Sequence, residues 1–388
     1  MTERLYLVAA KRTPVVRLLG AFSAHSAVEL GSHAARAALQ QSGIDSDDLD
    51  GIILGQSLPA GQGMGVARQI GLAAGIPEDI PAASVNMGSL SGLKALLDAC
   101  AQLKAGDADL ILAVASESAS NTGFFLPAGL RHGQPNGHFA ALDLLMHDTQ
   151  HNGQGTPAER AEHLARRYRL SRDMQDAFVL TAQHNAASAQ ENGHFASEIN
   201  PLTLHADPLL EWPAEQLAKL PALVGSITHG NRAPLADAAC AILLATESAL
   251  RRFSLVPLAE VVGYGLGALA PELGALAAVP AIAQALERSD CLLQDIERLE
   301  IEETSAAETL AILHELAEQH DSTFHTLSAR LNPSGGALAM GHPLACAGQR
   351  LVTTLTYGLA RANQRLGLAA QGSSDGLGAA IVLQRPAR

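Results

Sequence analysis

A turn of small residues connects a predicted strand to a predicted helix in the segment SVNMGSLSGLKA, which spans residues 84–95. The turn at 88–92 places the hydroxyl group of Ser89 at the start of that helix. A nucleophile in this position is favoured by the positive end of the helix dipole. Ser89 is therefore a candidate nucleophile. Serine is also a common N-cap residue, so helix capping is the alternative interpretation.

A histidine in a glycine-rich segment near the C-terminus is a second residue whose type could do chemistry. The segment GGALAMGHPLACAGQR spans residues 335–350 and contains His342 between a glycine and a proline. A serine hydroxyl ionises at a far higher pH than a thiol, so it needs a general base in contact with it to attack a carbonyl. Any base for Ser89 would have to share one pocket with its side chain. The alternative is that His342 only fixes a turn.

The composition restricts the partners that these residues could serve. The chain has 388 residues and a net charge of −13, which argues against nucleic acid as a main partner. It has no long apolar run and no signal-peptide pattern, so we expect no membrane span. The four cysteines lack metal-ligand spacing, which is typical of reduced thiols in the cytoplasm. No metal site is expected, because the loop histidines also lack ligand-like spacing: His132, His138, His147 and His151.

Strands and helices alternate along the first part of the chain. Buried strands are predicted at 5–10, 51–55, 84–86 and 110–115. A capping box of Ser26 and Glu29 starts a helix that ends near Gln41. This alternation predicts an α/β fold with a largely parallel sheet and covered faces.

An internal repeat predicts two similar halves. The segment ALQQSGIDSDDLDGI at 38–52 aligns without gaps with ALERSDCLLQDIERL at 285–299, and both contain a helix end, an acidic turn and an entering strand. The pairs at 85–86 and 331–332 match similarly at strand ends. We predict an N-terminal half at 1–120, an inserted loop domain at 121–248 whose last strand returns to the N-terminal half, and a C-terminal half at 249–388. One helical run is expected in the insertion, from about Pro157 to residue 193.

Motifs along nearly the whole chain resemble those of the thiolases, a family of acyl-CoA acyltransferases. They are RTP at 12–14, GAF at 20–22, VN…SGLKA around Ser89, SRDMQDAF at 171–178, GHFASEINP at 193–201 and, most specifically, GGALAMGHP at 335–343. The resemblance implies a five-layer αβαβα fold, a loop domain over the active site and a homodimer or homotetramer. It also implies that an active-site cysteine accepts an acyl group from coenzyme A or an acyl carrier, with no permanently bound cofactor.

The catalytic positions of that family are only partly retained. The nucleophilic cysteine falls on Ser89, either by natural divergence or as an introduced replacement. The GHP histidine, which activates the nucleophile in the family, is His342, so the resemblance makes His342 the candidate base and oxyanion donor for Ser89 and expects both side chains in one pocket. A second cysteine, which moves a proton in the family, falls on Gly372. The asparagine of an NEAF-like motif falls on Glu302. Carbon–carbon bond formation would therefore need another base, for which the nearby carboxylates are candidates: Glu302, Glu303 and Asp375.

The substrate-binding positions differ as well. The stretch that lines the pantetheine arm in the family, GNASGINDGAA, reads GNRAPLADAAC at 230–240. The resemblance makes Asn231, Arg232 and Ala233 candidate substrate contacts, and Arg232 could face a CoA phosphate. Leu90, which replaces the glycine after the nucleophile, is a fourth candidate.

Three functions are compatible with these residues. The first is acyl transfer from an acyl-CoA thioester through residue 89, impaired or altered by Ser89 and Gly372. The second is a catalytically silent thiolase-like subunit of an acyl-transfer complex, because both cysteine positions are substituted. The third is a serine acyl hydrolase in which Glu302 orients His342.

Overall fold

The computed structural model describes residues 3–126, 138, 140–146 and 155–386. Three of the loop histidines lie outside these residues (His132, His147 and His151), and His138 is exposed. The strands are β1 (Leu5–Arg12), β2 (Val16–Arg17), β3 (Gly51–Gly55), β4 (Ala82–Val85), β5 (Leu110–Glu117), β6 (Phe124–Phe125), β7 (Leu142–Asp143), β8 (Ala222–Val224), β9 (Ile227–Thr228), β10 (Ala236–Thr246), β11 (Ala259–Ala268), β12 (Arg298–Ile301), β13 (Leu366–Gly372) and β14 (Leu377–Gln384).

The helices of the described residues lie between these strands. They are α1 (Ala27–Ser42), α2 (Val66–Ala74), α3 (Ser91–Ala105), α4 (Pro157–Arg167), α5 (Arg172–Glu191), α6 (Ala214–Lys219), α7 (Glu247–Phe253), α8 (Ala278–Ser289), α9 (Ala306–Gln319), α10 (Phe324–Ser328), α11 (Ala337–Met340) and α12 (Cys346–Arg361). The predicted capping box starts α1: the Ser26 side chain accepts from the Glu29 N–H, and the Glu29 side chain accepts from the Ser26 N–H. None of the described helices has the length and apolarity that crossing a membrane requires.

One mixed sheet passes through the described part of the molecule. Its order is β12-β13-β14-β11-β1-β10-β5-β3-β4, and β2 pairs with β10. A short antiparallel ladder from Leu5 to Leu7 joins β1 to β11 and so connects the two halves of the sheet. The prediction of a largely parallel sheet is wrong. Strands β10 and β14 each return antiparallel beside the first strand of their half, so parallel pairing is confined to β3–β4, β3–β5 and β12–β13.

The two halves share one topology, which confirms the predicted duplication of the fold. The parallel pair β3–β5 is followed by antiparallel β10 and β1, and the parallel pair β12–β13 is followed in the same way by β14 and β11. The aligned repeat falls on equivalent elements. In each copy a helix ends, a short 3₁₀ turn follows at 46–48 or 293–295, and the chain enters β3 or β12.

Three hydrophobic clusters divide the fold into five layers. Along β1, Leu5 and Leu7 face helices α3 and α12 in the centre of the molecule, whereas Tyr6 and Val8 face α1 on the outside. This alternation follows from the two-residue period of a strand. A third cluster packs α8 and α9 on the outer face of the C-terminal strands. The two halves of the sheet form separate layers, and the resulting order of helix, sheet half, helix, sheet half and helix agrees with the predicted five-layer fold.

The predicted helical run after Pro157 is two helices, α4 and α5, rather than one. Arg169 adopts a left-handed conformation with φ of 55° and ends the first helical segment. The Ser171 side chain then accepts a hydrogen bond from the Met174 N–H and caps α5. The break arises because an N-cap residue in this run starts a new helix.

Candidate active site

The backbone around Ser89 is held in a tight turn between β4 and α3. Gly88 adopts φ of 56°, a conformation that favours glycine. The Met87 N–H donates to Ser91 Oγ at 2.8 Å, and the Gln371 amide donates to the Ser89 carbonyl at 2.9 Å. Leu90, not Ser89, is the N-cap of α3, and no side chain caps the helix there. The capping interpretation of Ser89 is therefore wrong.

His342 is fixed by backbone hydrogen bonds to the segment that precedes β10. Its N–H donates to the Pro234 carbonyl at 2.8 Å, and its carbonyl accepts from the Ala236 N–H at 3.0 Å. Gly341, with φ of 103°, precedes it in a conformation that a side chain would strain. The side chain of His342 is 10% exposed, so contacts within the protein set its orientation.

A buried carboxylate lies directly behind this imidazole. Glu302 follows the last residue of β12, and its Oε1 lies 2.7 Å from His342 Nδ1. The other oxygen, Oε2, accepts from the Arg350 guanidinium at 2.9 Å. Burial alone would raise the pKa of Glu302, but the His342 hydrogen bond and the Arg350 charge outweigh it and hold that pKa below its usual range.

The ionised carboxylate determines which imidazole nitrogen can act as a base. A carboxylate only accepts hydrogen bonds, so Nδ1 of a neutral His342 carries the proton towards Glu302. Nε2 then presents its lone pair. This is the orientation that a general base needs towards a hydroxyl group.

Ser89 and His342 both line one cavity of about 890 Å³. The cavity lies between the turn before α3, the His342 loop and the segment at 229–235. Side chains from the loop after β13 complete its wall: Ser373, Ser374 and Asp375. Within the described ranges, no three His, Cys, Asp or Glu side chains gather as metal ligands.

Gly372 is the last residue of β13. It is buried and does not line this cavity. A Cβ atom at this position would lie 2.0 Å from the carbonyl oxygen of Ala275. Real Cβ atoms do not approach a backbone oxygen so closely. Gly372 therefore supplies no base, and the structure has no room for a side chain there unless the backbone moves.

The other acids near the motifs have different environments. Glu303 is buried and accepts from Asn332 Nδ2 at 2.6 Å and from the Leu338 N–H at 3.2 Å, and burial raises its pKa to about 7. It is not among the residues that line the cavity. Asp375 lines the cavity and accepts the Ser373 hydroxyl.

Sequence reasoning missed three charged residues at this site: Arg17 and Glu308, which line the cavity, and Arg350, which donates to Glu302. Glu308 is buried, lines the cavity and accepts the hydroxyls of Ser305 at 2.6 Å and Thr304 at 2.8 Å. The Ser305-x-x-Glu308 spacing indicates a helix start, which the structure has at α9. That pattern gives no information about a cavity.

The four candidate substrate contacts separate into two groups. Arg232 and Ala233 line the cavity. Asn231 is fully buried, accepts the Thr228 N–H at 2.8 Å and donates to the Ser226 carbonyl at 3.1 Å, so it holds its own loop. Leu90 is 0% exposed and packs in the central hydrophobic cluster with α3 and α12.

Comparisons with known proteins cover the whole chain. Residues 5–248 match the family model of the thiolase N-terminal domain, and residues 255–385 match that of the thiolase C-terminal domain. The acetyl-CoA acetyltransferases of Chromobacterium violaceum and Pseudomonas aeruginosa are both 34% identical to it, covering 98% and 99% of this chain and 99% and 100% of theirs. The crystal structure of human mitochondrial 3-ketoacyl-CoA thiolase in complex with CoA has a TM-score of 0.93 at 28% identity, covering 100% of this chain and 99% of that one.

Proposed function

This chain belongs to the thiolase family, and from that membership we propose that it is an acyltransferase that takes acyl groups from acyl-CoA thioesters onto Ser89. One observation carries the proposal. The cavity that contains Ser89 also contains His342, whose Nδ1 lies 2.7 Å from the buried Glu302 carboxylate. A serine needs a positioned base, and this contact supports His342 in that role.

In the proposed acylation step, Ser89 attacks the thioester while His342 transfers the proton and Glu302 stabilises His342. Nε2 of His342 takes the proton from Ser89 Oγ as that oxygen attacks the thioester carbonyl carbon. The carbon–sulfur bond then breaks, and the leaving thiolate takes the proton back from Nε2. The products are an ester on Ser89 and free CoA. Glu302 stays ionised throughout and stabilises the imidazolium that forms between the two proton transfers.

The start of α3 contributes to the same step. The helix begins at Ser91, two residues after the nucleophile, so its positive end lies beside the reacting oxygen. A helix N-terminus stabilises the negative charge that develops during attack on a carbonyl. This contribution does not require the Glu302 carboxylate.

The substrate class follows from the relatives. Two of them are named acetyl-CoA acetyltransferase, and one similar structure is a thiolase in complex with CoA. We extend CoA thioesters to this chain as the acyl donor. The homodimer or homotetramer, the cytoplasmic location and the domain boundaries at 120 and 248 remain predictions.

A specific observation favours a second function, serine-based hydrolysis of the same thioesters. Transfer to a carbon acceptor requires a base that removes a proton beside a thioester, and Gly372 offers neither a base nor space for one. Water needs no such base beyond His342, because the oriented imidazole can activate it for attack on the acyl-serine. The Glu302–His342 contact at 2.7 Å supports this alternative as well.

Intact-protein mass and release of free CoA distinguish these functions. Wild-type protein is incubated with acetyl-CoA and longer acyl-CoAs, and the matched controls are Ser89→Ala and Ser89→Cys. The proposal predicts an acyl adduct in the wild type, none in S89A, and a persistent adduct in S89C. Continuous CoA release without an added acceptor would assign the hydrolase. No adduct and no CoA release in either the wild type or S89C would contradict both functions and favour a silent subunit.

A further inference from the structure

Arg232 is a cation without a partner inside the cavity. Its side chain is half-buried and lines the cavity that contains Ser89 and His342. Among the residues that the structure describes, it makes no side-chain hydrogen bond and no ion pair. Burial lowers the pKa of Arg232 and Glu308 partly opposes this, yet a guanidinium remains charged at any physiological pH. A partly dehydrated guanidinium without an acceptor is costly unless a ligand supplies one.

The position of Arg232 is fixed by backbone pairing on both sides. The residue forms an antiparallel bridge with Ser305, and the next N–H, of Ala233, donates to the Thr304 carbonyl at 3.1 Å. Three residues further along, Leu235 forms a bridge with His342. Three residues of extended chain span at most about 10 Å. The backbone of Arg232 is therefore fixed near the segment that pairs with His342, and its side chain lines the same cavity as Ser89 and His342.

The carboxylates in the cavity wall have other donors. Glu308 accepts hydroxyls from Thr304 and Ser305, and Asp375 accepts the hydroxyl of Ser373. Neither forms an ion pair with Arg232. Because the chain as a whole carries a net charge of −13, an anionic group of a substrate needs a local cation in order to enter.

We propose that Arg232 binds a carboxylate at the far end of the substrate's acyl group, so that the preferred donors are CoA monothioesters of short dicarboxylic acids. A guanidinium recognises a carboxylate through two parallel hydrogen bonds, which gives both affinity and orientation. This proposal rests on the proposed function, since it assigns the acyl group of the same thioester. A CoA phosphate has similar chemistry, but it is separated from the thioester by the pantetheine arm, whereas Arg232 lies close to the His342 segment.

Binding to a protein that cannot react tests the assignment. Calorimetric titration of the Ser89→Ala variant compares succinyl-CoA with butyryl-CoA, which has the same chain length but no carboxylate. One charge-assisted pair predicts that succinyl-CoA binds about 10- to 100-fold more tightly. The double variant S89A/R232Q should lose this preference, and S89A/R232K should retain part of it. Thermal unfolding of each variant verifies that it is folded.

The outcomes separate this inference from the proposed function. Equal affinity of S89A for the two thioesters would overturn the carboxylate assignment. A second contradicting result is that R232Q weakens the binding of both CoA thioesters equally but leaves the binding of the corresponding pantetheine thioesters unchanged. Arg232 would then bind the nucleotide phosphates of CoA rather than the acyl group. The titration needs no turnover. Failure of wild-type protein to form acyl-Ser89 would therefore defeat the proposed function without changing the binding preference.

Discussion

Replacing Glu302 with glutamine removes the buried charge behind His342 and nearly preserves the side-chain volume. During acylation the imidazole becomes positively charged, and the carboxylate oxygen lies 2.7 Å from its Nδ1. With charge centres about 4 Å apart and an effective dielectric constant of about 20, their attraction is about 4 kcal/mol. Loss of that attraction slows acylation by about three powers of ten.

A neutral amide also disturbs the imidazole tautomer. Glutamine cannot accept from both His342 and Arg350 with one oxygen and one NH₂ group, so one of the two partners faces a donor. If the NH₂ group faces His342, Nδ1 becomes the acceptor and Nε2 carries the proton. Nε2 can then no longer take the proton from Ser89.

The assay is the single-turnover rate of CoA release from acetyl-CoA, measured with a thiol reagent. The matched control is Glu300→Gln, because Glu300 is a buried carboxylate two residues earlier, on β12, and pairs with Arg298 at 2.8 Å rather than with His342. E300Q is expected to lower stability but to retain the acylation rate of the folded protein. If E302Q acylates within about threefold of the wild type, the proposed role of the carboxylate is refuted.

Three further variants test the surroundings of the site. Gly372→Ala should lower the free energy of unfolding by about 1–3 kcal/mol in a denaturant titration, because its new Cβ would meet a backbone carbonyl. The control Gly123→Ala, whose Cβ would meet nothing within 4 Å, should change that free energy little. Equal effects of the two substitutions would contradict the crowding at Gly372. Burial raises the pKa of Glu303 to about 7, so the folded state holds a proton that the unfolded state has released, and wild-type stability should fall by roughly 3 kcal/mol as pH rises from about 4.5 to 7. In Glu303→Gln, the free energy of unfolding should not show this decrease between about pH 4.5 and 7. The same pH dependence of stability in the variant and the wild type would refute the raised pKa of Glu303. Arg350→Met removes a cation that lowers the pKa of Glu302, so Glu302 should become protonated at a higher pH than in the wild type. The acid side of the variant's pH–acylation profile should therefore lie at higher pH. Coincident profiles of the two proteins would contradict the role of Arg350 in keeping Glu302 ionised.

Local patterns predicted several elements of the fold. The capping box at Ser26 and Glu29 set the start of α1, and the aligned repeat predicted equivalent helix–turn–strand units at β3 and β12. These succeed because capping and strand entry depend on residues close in sequence. The parallel-sheet prediction failed because the partners of β10 and β14 are set by long-range packing, which alternation alone does not specify.

The charged contacts of the site could not be predicted in the same way. Glu302 and His342 are 40 residues apart, and Arg350 reaches Glu302 from α12 across the central layer. The hydrolase hypothesis supposed that Glu302 orients His342, but no local pattern in the sequence indicates that these two side chains meet. Leu90 was predicted to contact the substrate, but its side chain packs in the central hydrophobic cluster at the start of α3.

The most direct measurement is a peptide map of the acylated protein. Wild-type chain is quenched in acid after brief exposure to isotopically labelled acetyl-CoA, digested and analysed by tandem mass spectrometry, with Ser89→Ala treated in parallel. An ester-linked label on Ser89 in the wild type, and on no residue of S89A, is the predicted result. Label on another side chain, or equal labelling of both proteins, would contradict Ser89 as the residue that carries the acyl group.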